Sequence, residues 1–91
     1  MEKRIHVFVS GRVQAVLYRV NARHFAKELG LTGWVRNLDD SRVELVAEGP
    51  EKELKEFIKL LKRGPITAHV EEIAVEWTEL KNEFRDFRVL Y

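Results

Sequence analysis

Ninety-one residues, 45% of them hydrophobic, allow one core and no second, so the chain reads as a single domain over 1–91. The absence of cysteine excludes disulfides, thiolate metal sites and a cysteine nucleophile. Sixteen basic against fifteen acidic residues leave a net charge of +1, without the broad basic field on which a general nucleic-acid binder depends.

No apolar run approaches the ~20 residues needed to cross a bilayer. The start Met1–His6 leads straight into a strand pattern, with no apolar stretch that reads as a signal peptide. A soluble cytoplasmic protein is expected, with neither a membrane nor a nucleic acid as partner, and a monomer is the plain expectation. Charged residues make up 34% of the chain, against about 25% in ordinary domains. Asn and Gln together number four (Gln14, Asn21, Asn37, Asn82), a composition that leans toward a heat-adapted source.

Taken in chain order, Ile5–Val9 alternates as a first strand, with Ile5, Val7 and Val9 on one side. From Arg19 to Leu29 the period lengthens: Ala22, Phe25, Ala26 and Leu29 share a helical face, and Gly30 stops it. Gly33–Asn37 and Arg42–Glu48 predict two strands joined by the short polar turn Leu38–Ser41. Gly49-Pro50 opens a second helix, acidic at its start and basic at its end, with Leu54, Phe57, Ile58 and Leu61 as its apolar face. Gly64-Pro65 ends it. Val70–Thr78 forms a further strand in which Val70 is out of phase with Ile73, Val75 and Trp77, a slip that a bulge or a late start explains. Phe84–Tyr91 is the last, with Phe87 and Val89 inward.

The order strand–helix–strand–strand–helix–strand is that of an α+β, ferredoxin-like βαββαβ sandwich: a four-stranded antiparallel sheet with both helices on one face. That topology brings the loop Gly11–Tyr18 and the end of the second strand, Asn37, out at the same edge. Arg19 and Asn37 are therefore expected to face one small ligand.

The loop Gly11-Arg12-Val13-Gln14-Ala15-Val16-Leu17-Tyr18-Arg19 joins a strand to a helix. Such a junction converges main-chain N–H groups and the positive end of a helix dipole on one point, where phosphate is the usual occupant. Arg19 near the helix start opposes the dipole. Its placement makes sense with an anion between it and the loop.

These residues resemble the acylphosphatase signature, normally Gly-Arg-Val-Gln-Gly-Val, two variable or aromatic residues, then Arg. Gly33-Trp34-Val35-Arg36-Asn37 resembles the family's second motif, and Val43–Gly49, Gly64-Pro65 and Phe87-Arg88-Val89 extend the likeness over essentially the whole chain. The resemblance implies hydrolysis of small-molecule acyl phosphates to a carboxylate and inorganic phosphate, with no metal, no cofactor and no covalent intermediate. It implies that Arg19 binds the phosphate and that Asn37 orients the attacking water. Gln14, Ala15, Val16, Leu17, Tyr18 and Arg19 correspond to the phosphate cradle.

Two departures stand out: Ala15 replaces the loop's usual glycine, and Ser41 the glycine of the hairpin turn. If position 15 requires a positive φ, alanine costs on the order of 1–2 kcal/mol there. The resulting expectation is a working but weakened cradle.

Other readings stand beside these. Arg19 is also readable as a surface ion-pair residue and Asn37 as a turn initiator. His6, His24 and His69 fall on separate elements without metal-ligand spacing. Ser10 lacks the glycine-flanked elbow of a serine hydrolase. Trp34 and Trp77 read as sheet or core aromatics. RNA-recognition domains share the element order, but Val43–Glu48 carries two acids and no aromatic residue. The alternative kept open is a low-activity module of the same fold that binds phosphate or carbamoyl phosphate.

Overall fold

The computed structural model describes residues 1–14 and 17–91. Ala15 and Val16, and with them the expectation for φ at position 15, lie outside the described residues. The elements run β1 (Glu2–Arg12), α1 (Tyr18–Glu28), β2 (Thr32–Asn37), β3 (Val43–Pro50), α2 (Glu51–Arg63), β4 (His69–Thr78) and β5 (Phe87–Leu90).

The sheet corrects one expectation. It has five strands in the order β4-β1-β3-β2-β5, not four, and it is not wholly antiparallel, because β5 pairs parallel with β2. The reason lies in α1, which packs over β2 and β5, while α2 covers β1, β3 and β4. Without a strand beyond β2, much of the apolar face of α1 would lie over nothing. Phe87, buried, and Val89, packed on the core, supply that cover, and the Gly33 amide nitrogen donates to the Asp86 carbonyl oxygen at 2.9 Å where β5 begins.

Strand alternation puts Ile5, Val7, Val9, Val35, Val43, Leu45, Ala47 and Phe87 on the helix-covered face, all of them buried. Ala22 and Ala26 of α1 and Leu54, Phe57 and Leu61 of α2 meet them at the expected helical spacing. Tyr18 completes this core. Its ring is buried, and its hydroxyl donates to the Leu61 carbonyl oxygen at 2.7 Å, pinning the first turn of α1 to the last turn of α2.

The out-of-phase Val70 is explained by a bulge. Ser10 pairs with Glu72 but Gly11 pairs with Val70, so Glu71 is the extra residue of β4. Gly11 adopts φ 123°, and a Cβ there would collide with the His69 carbonyl oxygen. The bulge thus fixes where β1 ends and the loop toward Arg19 begins.

The other sheet face is charged but orderly. Glu44 and Glu48 are buried on it; Glu48 takes the Arg4 guanidinium at 3.0 Å, and Glu44 lies between His6 (2.6 Å) and Arg36 (2.7 Å). No helix among the described residues is long and apolar enough to cross a membrane.

Candidate active site

Leu17 caps α1 with its backbone alone. It sits in the left-handed region at φ 66°, ψ 17°, and no side chain caps the helix. The first turn also holds no acidic residue. The opening N–H groups of a helix have no partners within it, so this end is open to an external acceptor. A leucine in that conformation costs on the order of 1–2 kcal/mol, the kind of local strain that collects at functional sites.

Arg19, two residues on, makes no ion pair with a carboxylate among the described residues, which argues against the surface ion-pair reading. Its Nη1 donates to the Leu90 carbonyl oxygen at 2.8 Å, and its guanidinium lies over the Tyr91 ring, 4.7 Å from the centroid. These contacts hold the side chain in place and leave further N–H donors of its five.

Asn37 ends β2 on the helix-covered side, in register with Val43. The adjoining turn is closed without it: Leu38 and Arg42 bond through their main chains at 2.8 Å, and the Asp40 carboxylate accepts from the Arg42 amide nitrogen at 3.1 Å. Asn37 Oδ1 is buried with no hydrogen-bond partner among the described residues. An unsatisfied buried acceptor is unfavourable by about 1–3 kcal/mol, so it marks a position that a donor from outside would complete.

Arg19 and Asn37 meet as the topology predicts. Together with Arg36, Leu90 and Tyr91 they line one open cleft of about 550 Å³. Arg36 brings less free charge than its sequence suggests, because its Nε is bonded to Glu44 and its guanidinium stacks 5.3 Å from the Trp34 ring centroid.

The loop residues divide by role. The Gln14 side-chain nitrogen donates to the carbonyl oxygens of Leu38 (2.8 Å) and Arg42 (2.9 Å), which occupies both of its hydrogens. Only its main-chain N–H remains for an anion. Tyr18 turns its ring into the core, so it too can meet a ligand only through the main chain. Leu17 points outward, 71% exposed. Leu90 and Tyr91 escaped the sequence reading, because their place beside Arg19 follows from the pairing of β5 with β2.

Comparison with known proteins identifies the family. The family model for acylphosphatase matches residues 5–89. The chain belongs to the acylphosphatase family. An acylphosphatase of Methylococcus capsulatus is 51% identical over 88 residues, 97% of this chain and 96% of that protein. The crystal structure of acylphosphatase from Bacillus subtilis superposes with a TM-score of 0.94 at 36% identity, covering 100% of both chains. That of an acylphosphatase from Coxiella burnetii gives 0.93 at 43% identity, over 98% of this chain and 93% of that one. Acylphosphatases thus share both the sequence and the whole fold of this chain.

Proposed function

We propose that the cleft at Arg19 and Asn37 is where this acylphosphatase-family chain carries out its reaction, hydrolysis of the carboxyl–phosphate bond of an acyl phosphate. In this reading the Arg19 guanidinium and the main-chain N–H groups of Gln14, Ala15, Val16, Leu17, Tyr18 and Arg19 grip the phosphoryl oxygens. Asn37 accepts a hydrogen bond from water through Oδ1 and aims it at phosphorus. The water oxygen forms the new P–O bond, the carboxylate departs with the old bond's electrons, and a phosphoryl oxygen takes the water's proton. None of the residues lining the cleft is a carboxylate or histidine that would serve as a base.

The chemistry asks for little more. A carboxylate is a good leaving group, so placing the phosphoryl group and stabilising its charge do most of the work, without metal or cofactor. The observation that carries the assignment is the buried carbonyl oxygen of Asn37, unpartnered among the described residues and set in the same cleft as the Arg19 guanidinium, which has no carboxylate partner among them. The chain acts here as a monomeric single domain over 1–91 in the cytoplasm, on a small molecule and not on nucleic acid.

Phosphate release from benzoyl phosphate tests the reading. Arg19→Ala and Asn37→Ala should each lower kcat/KM by about 10²–10³-fold, the range for removing one positioned polar group from a site. Full activity in Arg19→Ala would remove the assignment. Phosphate binding without turnover in the parent protein would select the binding-module alternative.

A further inference from the structure

Seven large hydrophobic side chains are exposed among the described residues: Met1, Leu17, Val20, Ile66, Trp77, Leu90 and Tyr91. Four of them (Leu17, Val20, Leu90 and Tyr91) line the two clefts that share Arg19. Leu17 is 71% exposed, Val20 52% and Tyr91 96%. Scattered exposed apolar residues need no explanation, but a cluster around one polar group marks a binding surface.

The second cleft, about 280 Å³, has Val13, Leu17, Val20, Val89 and Tyr91 as its apolar walls and Arg19 as its charged lining. Leu17 is held there in a left-handed backbone conformation that its Cβ disfavours. On the other side of Arg19 stands Arg36, but the buried Glu44 carboxylate already neutralises it at 2.7 Å. Among the described residues lining these two clefts, Arg19 is thus the only cation without a carboxylate partner, and the rest of the smaller cleft is apolar. Arg23, bonded to the Phe87 carbonyl oxygen, lies in the neighbouring cleft beyond Val20 and Tyr91.

We propose that this shelf receives the acyl chain of the substrate, so that the acyl phosphates used best carry an uncharged, apolar acyl group. The inference rests on the acyl phosphate reading above and assigns the part of the substrate which that reading leaves open. With the phosphoryl group at Arg19, the departing carboxylate lies toward Leu17 and Val20, and its hydrocarbon portion covers surface that is otherwise wet.

Acetyl, butyryl and hexanoyl phosphates have nearly equal leaving groups, so their comparison isolates the acyl chain. Full burial of one methylene corresponds to about a fourfold gain, and an open shelf gives less. The parent protein should therefore show kcat/KM rising about tenfold from acetyl to hexanoyl. The rise should appear in KM, with kcat constant, because the contact is equal in ground and transition states.

The double variant Leu17→Asn with Val20→Ser should flatten the series. Asn is tolerated at positive φ, and a thermal melt checks that the variant is folded. A flat series in the parent, with Arg19→Ala lowering kcat/KM by about 10²–10³-fold, overturns the shelf and leaves the reaction standing. A gradient kept by the folded double variant overturns it as well. So does succinyl phosphate outrunning butyryl phosphate, which would hand specificity to Arg36. No hydrolysis of any member by the folded parent overturns the reaction and the shelf together.

Discussion

The side-chain nitrogen of Gln14 donates to the carbonyl oxygen of Leu38 at 2.8 Å, and so ties the loop that leads to Arg19 to the hairpin that follows Asn37. The same nitrogen reaches the Arg42 carbonyl oxygen at 2.9 Å. Gln14→Ala removes two hydrogen bonds, but each carbonyl keeps a main-chain donor (the Leu38 N–H on Arg42 at 2.8 Å, the Ser41 N–H on Leu38 at 3.3 Å), so the fold should lose roughly 1–2 kcal/mol. It should also lower kcat/KM about tenfold, since the two halves of the site lose their shared brace. Gln14→Glu sets a carboxylate against two carbonyl oxygens and should be worse than alanine. Denaturant titration and benzoyl phosphate turnover check both; an unchanged alanine variant would show that the brace is dispensable.

Burial pushes the Tyr18 phenol well above its ordinary pKa. The neutral phenol is the form the fold prefers, so its contribution is fully present below the unfolded pKa of about 10 and is lost as pH rises beyond it. Tyr18→Phe removes the bond to Leu61 and should cost about 1 kcal/mol at neutral pH. Its stability should then fall less steeply than the parent's between about pH 10 and 12, as read by denaturant midpoints. Parallel curves for the two proteins would count against this account.

Ser41 occupies the hairpin turn at φ 78°, where a Cβ is unfavourable. Ser41→Gly relieves that strain and gives back part of the gain through the added freedom of the unfolded chain. A net gain of roughly 0.5–1 kcal/mol is expected, visible as a rise of a few degrees in Tm. A lower Tm would mean that the serine hydroxyl outweighs the backbone strain.

Glu44 is pulled in two directions. Burial drives its carboxyl upward, but the hydrogen bonds from His6 and Arg36, with the charge behind them, more than reverse this and hold it below the usual carboxylate range. A lowered folded pKa means stability present above the unfolded value of about 4.3 and lost as pH falls through the folded one. Glu44→Gln should cost roughly 1–3 kcal/mol at pH 7 and flatten the loss between about pH 5 and 3. Acid denaturation identical to the parent's would show that this carboxylate does not contribute.

Much of this was legible in the sequence because the periods are clean. Ala22, Ala26, Leu54, Phe57 and Leu61 are buried where their spacing put them, and the strand–helix–strand rule alone brought Arg19 to Asn37. What stayed hidden depends on long-range pairing. Alternation in Phe87 and Val89 shows a strand but not which edge it joins, so the fifth, parallel strand and the nearness of Tyr91 to Arg19 had no local signature. Tyr18 read as a loop residue because nothing near it in sequence announces Leu61. Glu44 and Glu48 counted in the sequence only as two acids on a strand without aromatics, because their burial depends on basic partners carried by neighbouring strands. Trp77 read as a sheet or core aromatic, and of the two it is the sheet aromatic, paired with Ile5 and 44% exposed because β4 is an outer strand.

That outermost strand sets a condition on keeping the protein in solution. Ten residues long, β4 presents one side of its backbone to any passing chain, and the deterrents along it are the bulge at Glu71 and the exposed carboxylates of Glu71, Glu72 and Glu76. Removing those charges by substitution leaves the strand's unpaired amides and carbonyls in place. Glutamine at all three positions should therefore seed self-association at this rim, with light scattering rising at neutral pH and staying low when lysines replace the three glutamates.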